Sequence, residues 1–192
     1  MTIERYVTPS QTVGPFFHIG LSAKHSRPVI AGEGVRGAKI RLICRLFDAE
    51  DQVVNDGLIE LWQANSDGKY ASPEDIQEKQ VEPGFSGFGR MATGEDGACE
   101  FHTIKPGRVP GLEGALQAPH IDVSVFARGM LRQLVTRIYF SGDLANSEDP
   151  VLALVPAERR ETLMARPAAD DPALWQFDIH LCGPRETVFF DA

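Results

Sequence analysis

The sequence predicts a mainly β domain, an antiparallel sandwich or barrel. Three observations lead there. Many runs of five to eleven residues alternate apolar and polar side chains or are rich in β-branched and aromatic residues, turn residues separate them, and no helical periodicity is interleaved. With 192 residues the chain fits one domain that is long enough to bury a sizeable core.

The elements follow in order. The segment TPSQTVGPFF, from Thr8 to Phe17, has two prolines and a glycine and no regular period. Proline removes backbone donors and fixes φ, so this reads as an irregular but restricted arm. AKIRLICRLFD (Ala38–Asp48) alternates, with Ile40, Leu42, Cys44 and Leu46 on one face and Arg41 and Arg45 on the other. GLIELWQA (Gly57–Ala64) sets Leu58, Glu60 and Trp62 against Ile59, Leu61 and Gln63. ACEFHTI (Ala98–Ile104) follows the turn GEDG. Further strands are expected at His120–Arg128, Leu134–Gly142, Leu174–Leu181 and Glu186–Phe190. The one helix signal is PAERRETLMA (Pro156–Ala165), started by proline, with Leu163 and Met164 facing inward.

Bulk composition narrows the function classes. The net charge is −8. That argues against sequence-independent nucleic-acid binding, which needs basic surface, and against docking on anionic membranes. No run approaches the ~18 apolar residues of a membrane helix, and the N-terminus has no apolar signal-peptide region. Cys44, Cys99 and Cys182 are widely spaced and odd in number, which suits small buried thiols in a reducing cytosol better than a disulfide framework or a zinc site. A cytoplasmic location is expected.

Four places carry candidate chemistry. In QAPHIDVSVFARG the strand period of two puts His120, Asp122, Ser124, Phe126 and Arg128 on one face. His120 and Asp122 can supply two ligands of a facial triad for ferrous iron, with His180 downstream as the third and Arg185 five residues beyond it, the pattern of an iron(II)/2-oxoglutarate oxygenase. The plain alternative is two polar residues on a half-solvated strand. Tyr70 sits after the turn NSDG, where a lone tyrosine is usually a packing or surface residue. Arg128 precedes a glycine and can present its planar fork to a carboxylate, or else pair with one of the 27 acidic side chains. GFSGFGR (Gly84–Arg90) is glycine-rich but lacks the lysine and the helix of a phosphate loop.

TPSQTVGPFFHIGL, LIELWQANSDGKY, GFGRMATGEDGACEFHTIKPG, APHIDVSVFARG, LVTRIYFSGD and the closing FDIHLCGPRETVFFD succeed one another as in the intradiol ring-cleaving dioxygenases. The chain resembles that family over nearly its whole length, and in particular the non-catalytic α subunit of a two-subunit member. The resemblance implies a β-sandwich core over residues 18–192, with one or two short helices and an N-terminal arm, residues 1–17, packing on a partner β subunit. It implies a ferric ion, Fe(III), held by two tyrosines and two histidines of that β subunit and acting as Lewis acid and template, with an aromatic diol as substrate. On this chain Tyr70 and His120 fall at two ligand positions. Val109 stands at the second tyrosine and Asp122 at the second histidine, and Gln117 stands at the family's catalytic arginine. Valine cannot ligate iron, so no catalytic residue and no metal are expected here. Tyr70, Val109, His120 and Asp122 are expected to be a relic, and the chain alone to be inactive. The resemblance further implies that Thr12, Gly14 and Pro15 line the partner's substrate pocket, and that Arg128 faces the carboxylate of a dihydroxybenzoate. The rivals are the ferrous oxygenase of His120, Asp122 and His180, and a β-sandwich scaffold without a catalytic role.

Overall fold

A computed structural model describes residues 10–14, 19–22, 24–111 and 114–191. Among the described residues ten strands form in chain order: β1 Lys39–Phe47, β2 Leu58–Gln63, β3 Phe88–Ala92, β4 Ala98–Ile104, β5 Val109–Pro110, β6 Leu116–Gln117, β7 His120–Phe126, β8 Leu134–Phe140, β9 Met164–Pro167 and β10 Leu174–His180. Eight hydrogen-bond in the order β3-β2-β7-β8-β9-β10-β1-β4, while β5 and β6 form a separate ribbon.

β9 makes this sheet a sandwich. Its first half pairs with β8 through Tyr139↔Met164 and Phe140↔Ala165, and its second half with β10 through Trp175↔Pro167 and Gln176↔Arg166. A strand shared in this way turns a corner, so the two flanking groups of strands face each other. Their inner faces meet in one core. Ile40, Leu42, Cys44 and Leu46 of β1, Phe101 of β4 and Phe177 of β10 pack with Ile59 and Leu61 of β2, Ile121, Val123 and Val125 of β7 and Ile138 and Phe140 of β8. β1 therefore buries the face its alternation predicts, and Arg41 points outward to ion pairs with Glu100 and Asp171. Most pairings are antiparallel, but β1 with β10 and β8 with β9 run parallel.

Several expectations change in detail. Residues 157–163 form a 3₁₀ helix, Ala157–Leu163, rather than an α-helix. Leu163 is buried as expected, but Met164 already begins β9. ETVFF is not a ladder strand; it makes one isolated β-bridge, Val135↔Phe190, with further hydrogen bonds to the sheet from Thr187 to His180 and from Thr136 to Val188. The glycine-rich GFSGFGR runs into β3, where Gly89 permits close packing: a Cβ there would lie 2.8 Å from Ile30. Cys44 and Cys99 are buried, and burial pushes the Cys99 thiol up to about 12, whereas Cys182 is exposed.

Candidate functional site

The outer face of the β2-β7-β8 sheet is where the candidate ligands gather. Register sets one row across it, Trp62 opposite Asp122 and Asp122 opposite Arg137, with His120 opposite Tyr139 in a neighbouring row. Because β7 buries Ile121, Val123 and Val125 in the core, His120 and Asp122 must point the other way.

The turn after β2 brings Tyr70 over this row. Asn65 Oδ1 accepts from the Asp67 and Lys69 amides at 3.0 and 2.9 Å, an Asx turn that folds the chain back. Asp75 Oδ2 accepts from the Tyr70 amide at 2.8 Å, and its Oδ1 lies 3.1 Å from the Lys69 ammonium. Gly68 takes φ +75°, and a Cβ there would lie 1.9 Å from the Arg108 carbonyl, so only glycine lets the turn sit against the strand that carries Val109. The Tyr70 ring then stacks on Trp62 with centroids 5.9 Å apart. Burial, with the nearby Asp122 carboxylate, pushes the Tyr70 phenol up.

His120 is 3 % exposed. Its Nδ1 lies 2.8 Å from the Ala118 carbonyl. A carbonyl only accepts, so Nδ1 carries the proton and Nε2 keeps its lone pair. Asp149 braces the arrangement: its carboxylate accepts from the Ala118 amide at 2.7 Å and from the Tyr139 hydroxyl at 3.1 Å. Burial lowers the His120 pKa and outweighs the opposing Asp122 carboxylate, so the ring is neutral. Nε2 has no hydrogen-bond partner among the described residues and lies 3.9 Å from Asp122 Oδ1.

Asp122 is already engaged. Arg137 Nε sits 2.9 Å from Asp122 Oδ1, and Arg137 Nη1 donates to Gln117 Oε1 at 2.6 Å. Arg137 was not singled out from the sequence. Its signal there is one charged residue inside the apolar run LVTRIYF, and its meaning depends on the β7–β8 register. Val109 is buried, opposite Gln117 on the β5–β6 ribbon. These residues do not fit a ferric centre. Val109 offers no donor atom, and the Arg137 guanidinium holds the Asp122 carboxylate.

The ferrous alternative does not assemble. His180 ends β10, on the other side of the corner strand β9 from β7, and stacks on Phe47 with centroids 4.9 Å apart. Its Nδ1 lies 3.4 Å from Asp51 Oδ1, close enough for attraction but not placed for a hydrogen bond, and Arg185 pairs with the same carboxylate. Among the described residues, no group of three or more His, Cys, Asp or Glu side chains is placed to hold a metal ion.

The second candidate region lies at the far end of β7. Gly129, at φ +86°, turns the chain, and its amide donates to Thr12 Oγ1 at 2.8 Å. Thr12 and Gly14 thereby line a cleft of about 480 Å³ with Phe126, Met130, Leu131 and Gln133. Arg128 is adjacent, its side chain 77 % exposed, with Nε paired to the Asp56 carboxylate. The structure thus brings Thr12 and Gly14 beside the Arg128–Gly129 turn. Pro15 lies outside the described residues.

The sequence profile of the Dioxygenase family matches residues 13–183. The chain belongs to this family. Among curated relatives, it is 42 % identical over 198 aligned positions to the protocatechuate 3,4-dioxygenase alpha chain of Burkholderia cepacia, covering 96 % of both chains. It is 40 % identical to the Pseudomonas putida alpha chain, again over 96 % of both. The beta chain of the Burkholderia cepacia protein is 35 % identical over 77 % of this chain and 66 % of its own length. Solved dioxygenases share the fold: an intradiol ring-cleavage dioxygenase from Tetranychus urticae superposes with a TM-score of 0.64 at 18 % identity, covering 96 % of this chain and 98 % of its own. Catechol 1,2-dioxygenase from Acinetobacter sp. ADP1 gives 0.60 at 23 % identity, covering 79 % and 55 %. The mainly β architecture read from the strand pattern is therefore that of the dioxygenase family.

Proposed function

We propose that this chain is the α-type subunit of a two-chain protocatechuate 3,4-dioxygenase and that its partner, a β-type chain, carries the catalytic Fe(III). The assembly cleaves protocatechuate (3,4-dihydroxybenzoate) between its two hydroxyl-bearing carbons, inserting both atoms of O2 to give 3-carboxy-cis,cis-muconate. The observation that carries this reading is the pairing of a whole-length match to two alpha chains with a ligand pocket that is unfit for iron.

In this reading the chain supplies one wall of the partner's pocket. Residues 1–17 pack on the partner, with Thr12, Gly14 and Pro15 nearest the substrate. Gly14 lets backbone approach a ligand, since no Cβ intervenes and none would meet an atom of the described residues within 4 Å. Arg128 meets the substrate carboxylate. Its support is position and exposure: it sits beside the Gly129 turn that Thr12 contacts, with most of its side chain open and its Nε steadied by Asp56. A fork held in this way is prepared for a planar anion. The described residues contain no helix long and apolar enough to cross a membrane. A cytoplasmic assembly that binds neither membrane nor nucleic acid fits the acidic balance of the chain.

The test is reconstitution. The β-type chain is expressed alone and with this chain, and protocatechuate-dependent O2 uptake is followed. The reading expects efficient turnover only from the co-purified pair. A β-type chain fully active alone, with unchanged KM, would overturn it.

A further inference from the structure

Asp122 and His120 look like two thirds of a metal site, yet a side-chain cation is already there. We propose that the Arg137 guanidinium is the built-in cation of this pocket, standing where a divalent metal ion would sit and keeping such ions away from donors that would otherwise take one up. The inference concerns this chain alone and does not depend on the proposed partner.

Three observations carry it. Arg137 bridges the pocket, with Nε 2.9 Å from Asp122 Oδ1 and Nη1 2.6 Å from Gln117 Oε1. His120 Nε2 is buried, keeps its lone pair and lacks a hydrogen-bond partner among the described residues, although its ring is fixed through Nδ1. That nitrogen and Asp122 Oδ1 are 3.9 Å apart. An ion bridging a nitrogen and a carboxylate oxygen at bonds of about 2.0–2.2 Å needs donors roughly 3–4 Å apart, so the pair is set at a metal-binding bite. Fixing the imidazole through its other nitrogen is also the arrangement that prepares a histidine to ligate.

With Arg137 in place, an incoming cation meets a fixed positive charge. It must also detach that guanidinium from Asp122, leaving a half-buried charge unpaired. With Arg137 replaced by an apolar side chain of similar length, the Asp122 carboxylate loses its counter-charge beside a free imidazole lone pair.

The experiment is Zn2+ binding by equilibrium dialysis and elemental analysis on the full chain, purified as it is stable, alone or with its partner. The variant R137M is expected to bind one Zn2+ per chain more than wild type at micromolar free metal. Adding His120→Gln to R137M should weaken that site by about tenfold or more. R137K, which keeps the charge, should bind no more than wild type. Folded R137M with no extra Zn2+, or R137K binding as much as R137M, would overturn the proposal. Should R137M fail to fold, wild type and H120Q are compared directly. Identical Zn2+ isotherms agree with a barred pocket, and a wild-type site lost in H120Q contradicts it.

Discussion

Replacing Arg128 with alanine separates recognition from folding. In the isolated chain the Arg128 side chain is 77 % exposed and that of its partner Asp56 is 30 % exposed. Such a pair contributes up to about 1 kcal/mol to stability because water screens it. R128A should therefore melt within a few degrees of wild type. Recognition carries the larger effect. A charge-assisted hydrogen bond to a carboxylate, formed where water is excluded, contributes roughly 1.5–3 kcal/mol. At 1.4 kcal/mol per decade, this is a loss of about 10- to 150-fold in kcat/KM for protocatechuate. Catechol lacks the carboxylate and should change by less than about threefold on the same grounds. The assay is O2 uptake by the reconstituted pair with each substrate, alongside a thermal melt. Equal losses on both substrates would refute the carboxylate assignment, and a collapsed melting temperature would refute the separation itself.

Other perturbations probe the supporting structure. Gly68→Ala forces a Cβ to within 1.9 Å of the Arg108 carbonyl at φ +75°, so it should cost about 2 kcal/mol or more; an unchanged urea midpoint would mean the turn yields freely. His120 is neutral because burial depresses its pKa, with Asp122, Arg137 and Asp149 acting on it. The unfolded chain therefore binds the extra proton first, and stability present above about pH 6.5 should fall as the pH drops through that value toward the folded pKa. H120Q should flatten the change in urea midpoint between about pH 7.5 and 5.5, above the range in which carboxylates titrate; an unaltered slope would show that His120 is not its source. Removing residues 1–17 should impair assembly or turnover, and a fully active truncated complex would show the arm to be dispensable.

The strands that are legible in the sequence are those with one buried and one open face. β1 and β4 fall almost where their alternation places them, since the period of two is a direct image of the core. β9 is four residues long and turns a corner between two partners, so no period is established. β3 hides behind the glycines of GFSGFGR, which read as loop, although Gly89 within the strand is required by the packing of Ile30 and Phe101. ETVFF has strand composition but finds only one bridging partner. In the site, the shared face of His120 and Asp122 follows from periodicity within one strand. The part played by Arg137 does not, because it depends on cross-strand register, and a lone arginine in an apolar run gives no hint of which carboxylate it will meet. The resemblance to the dioxygenases marks Val109 and Asp122 as departures from the ligand set, and the geometry adds that Arg137 pairs with the Asp122 carboxylate.

The central claim is that the iron belongs to the partner and that this chain has none of its own. Iron content and visible absorbance of the chain purified alone, and then co-purified with its β-type partner, test this most directly. The account predicts a colourless, iron-free chain and a coloured, active complex with one Fe(III) per pair, its red-brown band arising from tyrosinate bound to the metal. One tightly bound iron in the isolated chain, with ring cleavage, would contradict it.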